Sequence, residues 1–394
     1  MKRIYLDYAS LTPIDSRVIR EVKKYSSAKY ANPSSLYKEG VVAKKALEEG
    51  RKKVVGFIHA HSDELIFTSG GTEANNLAIE GVLKAAHKNG VQRPHLIISS
   101  IEHSSIIEVA NVVEHMGCEV TRLPVNANGI VSLDELKKSI KPNTVLVSIM
   151  MVNNEVGTVE PIREAIKIVR QARKAKVATN IELADSKYPL FHTDAAQALY
   201  EDINMESLGV DLLTLDGSKV YGPRGIGCLY VRRGTPIEPI IYGGGQEKGM
   251  RSGTENIPAI MGFAKALELL GAEHLKMEHF TQVKWSVGDL RTLLIEKLKA
   301  IRPDIIINGV QTSPHILNVS IPSIDNEFFV LQLDDKGIAC STKSSCLRDE
   351  DESYVLKAMG AYSKTSIRFS FGRYTKKRDI IKAAKIIVGI LHPR

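Results

Sequence analysis

The sequence predicts an α/β protein: a large, mostly parallel sheet covered by helices on both faces, followed by a smaller α+β module. Three observations predict it. Short apolar runs alternate with helical patterns from about Ser16 to Leu270, the spacing of strand–helix–strand units. The chain has 394 residues, enough for two domains of ordinary size. Hydrophobic residues make up 43% and charged residues 25%, a balance that supports a normally packed core.

In chain order, Arg17 to Ser26 and Gly40 to Ile58 read as helices. Glu64 to Thr68 is a short apolar run of strand length, and a glycine turn separates it from a helix over Gly71 to Asn89. Strand His95 to Ser100 leads into helix Ser104 to Met116. Strand Thr144 to Met150 leads into helix Pro161 to Lys176. Asn180 to Lys187 is a polar excursion, and strands Tyr188 to His192 and Asp211 to Leu215 follow it. Beyond Leu270 the pattern changes. Met277 to Ile301 reads as one long charged amphipathic helix. Short strands Asp304 to Gly309 and Ile316 to Pro322 come next, then helices near Glu327 and Glu352. Strand Ser366 to Phe371 and a final helix, Lys376 to Leu391, close the chain. These breaks put a large domain over residues 15–260 and a small one over residues 1–14 with 261–394. There is no internal repeat and no low-complexity tract.

Composition narrows the function classes. The net charge of +8, from 53 basic and 45 acidic residues, includes no dense Lys/Arg block, so no direct nucleic-acid partner is expected. The apolar runs are too short to span a bilayer, and the N-terminus meets Asp7 without a signal-peptide core. A cytoplasmic protein away from membranes is expected. Four cysteines (Cys118, Cys228, Cys340 and Cys346) are too few for a disulfide framework in a chain this long. Cys118 and Cys228 sit in strand-like apolar runs and read as core residues. Five residues separate Cys340 from Cys346, and no His or second Cys pair nearby completes a tetrahedral set, so no metal is expected.

The chemistry is carried by residues at strand ends, where α/β folds collect their ligands. Asp194 and Lys219 each follow a predicted strand. A carboxylate and an amine on neighbouring strand ends are what pyridoxal phosphate needs: a lysine for the Schiff base, and an acid to keep the pyridine nitrogen protonated. The turn Thr68-Ser69-Gly70-Gly71-Thr72 offers free amides and the Thr72 hydroxyl to a phosphate at a helix start, although ordinary capping is the better explanation of such a turn when it stands alone. His103 and Asn154 also follow strands. Taken singly, the first reads as a structural hydrogen-bonder and the second as a member of a turn-forming Asn pair. Thr72, His103, Asn154, Asp194, Gln197 and Lys219 on one rim make a stronger case together than any of them alone. The glycine-rich stretch Gly243 to Thr254 is a loop that either lies free or reaches another chain or a phosphate. Cys346, near Lys343 and Arg348 in a small polar stretch, is a candidate thiolate nucleophile.

On these motifs the sequence resembles the cysteine desulfurases of iron–sulfur-cluster assembly, within the fold-type I pyridoxal-phosphate enzymes. The resemblance runs nearly end to end. It includes Tyr5-Leu6-Asp7-Tyr8-Ala9, Asn32-Pro33-Ser34-Ser35, Glu102-His103, Val152-Asn153-Asn154-Glu155, Asp194-Ala195-Ala196-Gln197, Tyr221-Gly222-Pro223, Met250-Arg251-Ser252-Gly253-Thr254 and Arg368-Phe369-Ser370. It implies a fold-type I transferase using pyridoxal 5′-phosphate, with Lys219 as the Schiff-base lysine that also moves the Cα proton. Asp194 is implied at the ring nitrogen, Gln197 at the ring hydroxyl and His103 stacked on the ring. Gly71, Thr72 and Ser218 are implied at the phosphate, with Thr254 arriving from the second subunit of a homodimer. Arg368 is implied to bind the substrate carboxylate, with Asn32 and Asn154 nearby. Cys346, in a loop over about residues 337–352, is implied to take sulfur from L-cysteine, leaving alanine. The sulfur is then expected to pass to an iron–sulfur scaffold protein or a tRNA-thiolating enzyme. Other readings are a different fold-type I reaction, such as aminotransfer or selenocysteine lysis, or a weakly active homologue serving as an assembly subunit.

Three positions depart from that family's pattern. Ser218 stands where His is common before the lysine. Asp216 stands where Ser is frequent, and a carboxylate facing a phosphate repels it, so Asp216 is expected to turn away or pair with a cation. The family's Ser-Gly-Ser-Ala-Cys loop reads Thr342-Lys343-Ser344-Ser345-Cys346 here, which exchanges a flexible glycine for a cation beside the thiol.

Overall fold

A computed structural model describes residues 3–28, 30–178, 187–279, 285–343 and 352–391. The chain opens with β1 (Ile4–Tyr5), α1 (Ser16–Lys23), α2 (Lys38–Ile58), β2 (Leu65–Thr68), α3 (Gly71–Lys88), β3 (His95–Ser99), α4 (Ser104–His115), β4 (Glu119–Leu123), α5 (Leu133–Ser139) and β5 (Thr144–Ser148). It continues with α6 (Ile162–Ala178), β6 (Leu190–Asp194), α7 (Met205–Leu208), β7 (Leu212–Asp216), β8 (Gly227–Val231), α8 (Ile257–His279) and α9 (Val287–Lys299). It closes with β9 (Ile306–Asn308), β10 (Ile316–Ser320), α10 (Asn326–Asp335), β11 (Ile338–Ala339), α11 (Tyr354–Ala358), β12 (Ser366–Ser370) and α12 (Lys377–Leu391).

The large sheet has seven strands in the order β2-β8-β7-β6-β5-β3-β4. From β7 to β4 every pairing is parallel, and β8 alone runs antiparallel to both of its neighbours. Every residue of β3, β5 and β6 is buried, as expected of strands covered on both faces. One apolar cluster lies on each face. On one of them α8 packs against α2, placing Ile260, Phe263 and Leu267 beside Val54 and Ile58. That approach requires Gly50, since a Cβ there would come within 2.8 Å of Ile260.

A second core forms around the antiparallel sheet β12-β10-β9, with α9 and α12 packed on each other. The first residues of the chain belong to it. β1 pairs in parallel with β11, Leu6 O accepts from Ser370 N, and Ala9 N donates to the Ser370 hydroxyl. The N-terminal segment then reaches the large sheet, where Thr12 N donates to Ser218 O. Residues 9–12 thereby lie between the two cores. Among the described residues no helix is long and apolar enough to cross a membrane.

The structure corrects the long helix expected over Met277 to Ile301. α8 ends at His279, and α9 starts afresh behind Ser286, whose hydroxyl accepts from Asp289 N while the Asp289 carboxylate accepts from Ser286 N. That reciprocal cap is a helix start, which apolar periodicity alone reads through. Residues 180–186 of the expected polar excursion lie outside the described residues.

Candidate active site

Parallel strands carry their last residues to one edge of the sheet, and a cavity of about 180 Å³ opens there. β6 delivers Asp194. Its Oδ1 accepts from Ala196 N at 2.9 Å and its Oδ2 from Asn75 Nδ2 at 2.7 Å, and the carboxylate is buried. Asn75 lies one turn into α3 and also donates to the Ser105 hydroxyl at 2.8 Å. Both groups that hold Asp194 are therefore neutral donors. Beyond the turn, Gln197 donates to Ala9 O at 2.8 Å, while its Oε1 lies 3.3 Å from His315 Nε2. Burial lowers the His315 pKa to about 3, so the partner holding Gln197 is a neutral imidazole.

β7 delivers the lysine. A one-turn helix over Gly217–Lys219 follows it, and Lys219 Nζ donates to Ser10 O at 2.6 Å and Ala9 O at 3.2 Å. The amine hangs between the N-terminal crossing and the Asp194 end of the cavity. His103 caps α4, its Nδ1 accepting from Ser105 N at 3.2 Å, and its ring lines the cavity.

Of the asparagine pair, Asn153 makes the turn. Its Oδ1 accepts from Glu155 N and Val156 N, and its Nδ2 donates to Ile101 O. Asn154 is left to line the cavity, with a buried Oδ1 that has no partner among the described residues. Arg368, on β12, enters from the small sheet and is only 1% exposed. Its Nη1 donates to Asn154 O at 2.7 Å, and its Nη2 to Asp7 Oδ1 at 2.9 Å and Ser10 Oγ at 2.6 Å; Nε is buried without a partner among the described residues.

The other end of the cavity is the glycine turn. Gly70 has a φ of +154°, open to glycine, and β8 crosses so closely that a Cβ on Gly227 would stand 2.7 Å from Gly70. Gly71 N, at the start of α3, donates to Asp216 Oδ2 at 3.0 Å, and Ser218 N donates to Asp216 Oδ1 at 2.7 Å. Among the described residues Asp216 is paired with neither an Arg nor a Lys side chain. Two backbone amides hold its carboxylate, because an N–H at a helix start attracts an anion. Glu73 does the same for the neighbouring amide, accepting from Ser69 N at 2.9 Å, and it also accepts from Arg251 Nε at 2.8 Å.

The cavity therefore brings together Gly71, Thr72, His103, Asn154, Asp194, Gln197, Lys219 and Arg368. It does not gather Ser218, Thr254 or Asn32 in its lining. Ser218 engages through its backbone, as above. Thr254 is exposed, and Asn32 Oδ1 accepts from Ser34 N at 2.9 Å in a turn of its own. Cys346 lies outside the described residues. The chain on either side of it attaches beside the cavity: Ser341 exchanges backbone hydrogen bonds with Arg368, and the Ser353 hydroxyl donates to Glu155 Oε2 at 2.5 Å. Sequence reasoning missed Asn75, Ser10 and His315. Nothing in their local context marks them, since each joins the site only through a contact distant in sequence. Cys118 and Cys228 are buried, with thiol pKa values raised by that burial.

Residues 4–382 match the family model described as aminotransferase class-V. A cysteine desulfurase IscS of Dictyoglomus turgidum is 40% identical over 99% of this chain and 95% of its own. A mitosomal cysteine desulfurase of Trachipleistophora hominis is also 40% identical, over 97% of this chain and 85% of its own. Among solved structures, a NifS-like protein superposes with a TM-score of 0.87 at 32% identity, covering 99% of both chains. SspA in complex with cysteine superposes with a TM-score of 0.74 at 31% identity, covering 95% of this chain and 100% of the other.

Proposed function

The chain belongs to the aminotransferase class-V family, among its cysteine desulfurases, and from that premise we propose how its cleft acts: L-cysteine enters, L-alanine leaves, and the sulfur stays on Cys346 as a persulfide. The observation that carries this reading is the convergence of Lys219, Asp194, Gln197, His103 and Arg368 on one cavity. The cofactor is pyridoxal 5′-phosphate, and the ring end of the cavity fits it. Asp194 is held by neutral donors, and the buried Oδ1 atoms of Asn75 and Asn154 lack partners within the described chain, as acceptors awaiting a ligand do. When bound, pyridoxal phosphate draws the electron pair of the substrate Cα–H bond into its protonated ring.

The remaining work falls to this chain's own side chains. Asp194 holds the proton on the ring nitrogen, and its burial and two fixed donors keep it oriented. Gln197 is clamped at both ends of its amide and would hold the ring hydroxyl with its second N–H. Lys219 Nζ carries the substrate Cα proton, exchanging its contacts with the Ala9 and Ser10 carbonyls for the substrate. Arg368 takes the substrate carboxylate in a charge-assisted pair, releasing Ser10 or Asp7 from Nη2. Cys346 then attacks the substrate sulfur. The Cβ–S bond breaks, the new S–S bond forms, and the electron pair left on carbon takes up a proton to give alanine. The reaction balances as thiol plus cysteine giving persulfide plus alanine, with no outside oxidant.

Several further features complete this proposal. The described residues on either side of Cys346 meet Arg368 and Glu155, which supports a reach from that segment to the cleft. Cys340 is a poor substitute, because burial pushes its thiol far above the usual range. A homodimer would bring the exposed Thr254 to the phosphate end of the partner's cleft. The persulfide would serve an iron–sulfur scaffold protein or a tRNA-thiolating enzyme in the cytoplasm.

The test is alanine and sulfide release from L-cysteine with a reductant, comparing wild type with Cys346→Ala. Release by wild type alone is expected. Equal release by the variant would move the acceptor elsewhere. No release from a wild type carrying its yellow cofactor would overturn desulfuration.

A further inference from the structure

The phosphate end of the cavity is already occupied by an anion that belongs to the chain. Gly71 N–H and Ser218 N–H converge on the two oxygens of Asp216, at 3.0 and 2.7 Å. These are backbone donors from the first residue of α3 and from the turn that carries Lys219, the pair that an anion entering this end would use. Two residues back on the glycine turn, Ser69 N–H is also taken by a carboxylate: it binds Glu73, as does the Arg251 guanidinium. The contact is close on both sides: a Cβ on Gly71 would stand 3.2 Å from Asp216 Oδ2 and 3.5 Å from its Cβ.

We propose that Asp216 is a built-in competitor for the cofactor's phosphate. It fills the phosphate cradle in the unloaded chain and must vacate it on loading, so this chain grips the cofactor chiefly through its ring and only weakly through its phosphate. The inference rests on the reading of the cavity as a pyridoxal-phosphate site. Its physical basis is simple. Two amide donors cannot serve a carboxylate and a phosphate at once, and an ionised carboxylate left beside a phosphate repels it across a few ångströms. A displaced Asp216 also leaves its own one-turn helix uncapped, because its Oδ1 is the acceptor for Ser218 N. Both effects subtract from the phosphate's contribution and leave the ring contacts of Asp194, Gln197 and His103 untouched.

The ratio of affinities for pyridoxal and pyridoxal phosphate isolates the phosphate's share. Both compounds are titrated into the full-length chain freed of cofactor, for wild type, Asp216→Ser and Asp216→Asn, by equilibrium dialysis with absorbance detection. Asp216→Ser is expected to bind pyridoxal phosphate at least about tenfold more tightly than wild type, one charge-assisted contact in free-energy terms. Its affinity for pyridoxal should stay within about twofold, so the ratio widens. Asp216→Asn, which keeps the shape and one acceptor, should fall between them, and it preserves the test if the serine variant fails to fold. Inorganic phosphate alone should raise the melting temperature of Asp216→Ser at concentrations that leave wild type unmoved. Equal pyridoxal-phosphate affinity in wild type and both variants would overturn the competitor role while leaving the cofactor reading intact. Failure of every form to bind either pyridoxal compound would overturn the cofactor reading, and the competitor role with it.

Discussion

The two ends of the cleft solve the same problem in opposite ways. At the ring end an acidic group, Asp194, is held by the neutral donors Asn75 and Ala196 N–H, and Gln197 by a neutral imidazole and a carbonyl. At the phosphate end neutral donors, Gly71 and Ser218 N–H, are held by an acidic group, Asp216. A fixed charge on neutral partners stays available to a cationic ring, whereas donors already committed to an anion are available only by exchange. The first end is built around an anion on neutral donors, and the second around donors committed to a carboxylate of the chain itself. Arg368 resembles the second end, since its guanidinium is committed to Asp7, Ser10 and Asn154 O.

The largest effect should come from removing the amine that the N-terminal crossing holds between the two ends. Lys219→Ala deletes the amine poised over the Ala9 and Ser10 carbonyls, and alanine formation should fall by about 10²–10⁴-fold or more. Added cofactor should also dialyse away from the variant. Retained turnover would place the proton carrier elsewhere on the rim. Asp194→Asn tests the ring end more finely, because it keeps the shape and removes the charge. We expect about a hundredfold loss in kcat with little change in cofactor affinity. A loss of affinity without a loss of kcat would show that Asp194 only anchors the ring.

Arg368→Lys tests whether a committed group can still clamp the substrate. A point charge replaces a planar fork, so the KM for L-cysteine should rise about tenfold while kcat changes less. Should kcat fall and KM hold, Arg368 would be acting on the reaction and not on binding.

The rim itself was legible in the sequence. Each of Thr72, His103, Asn154, Asp194 and Lys219 follows an apolar run short enough to be only a strand, and parallel strands bring such ends together. The partners of these residues were not legible. Asn75 touches Asp194 across 119 positions, His315 touches Gln197 across 118, and Arg368 touches Asp7 across 361. Local pattern carries no information about such pairs. The same limit hid the Asp216 contact: electrostatics says that a carboxylate avoids a phosphate, yet backbone amides welcome any anion, including the one at the end of β7, two strands from β2. The break between α8 and α9 escaped for a different reason, because apolar spacing resumes on the far side of the Ser286 cap.

The smallest effect concerns what lies beneath the ring end. Glu102, immediately before His103, is fully buried. Its Oε1 accepts from the Ser99 hydroxyl and Met150 N, its Oε2 has no partner among the described residues, and burial raises its pKa to about 8. Glu160 is raised to about 8 for the same reason. A folded-state pKa above the ordinary value of 4.5 means that the folded chain binds the proton more tightly than the unfolded one. The stability this contributes is complete below about pH 4.5 and is lost as pH rises through about 8. Asp15 has the opposite sign, since its hydrogen bonds with Arg17 lower its pKa, so its contribution appears above the ordinary carboxylate range and is lost at strongly acid pH. Below about pH 6.5 the buried, neutral His95, His192 and His315 oppose this trend, so the falling slope of the buried glutamates is clearest between about pH 6.5 and 8. Glu102→Gln copies the protonated acid in shape and cannot ionise. Its melting temperature should match wild type near about pH 5 and exceed it by a few degrees near about pH 8. Parallel profiles across that range would mean that Glu102 is ionised in the folded chain, placing a second negative charge within electrostatic reach of Asp194 and ending the contrast between one end with a single anion on neutral donors and another filled by a carboxylate.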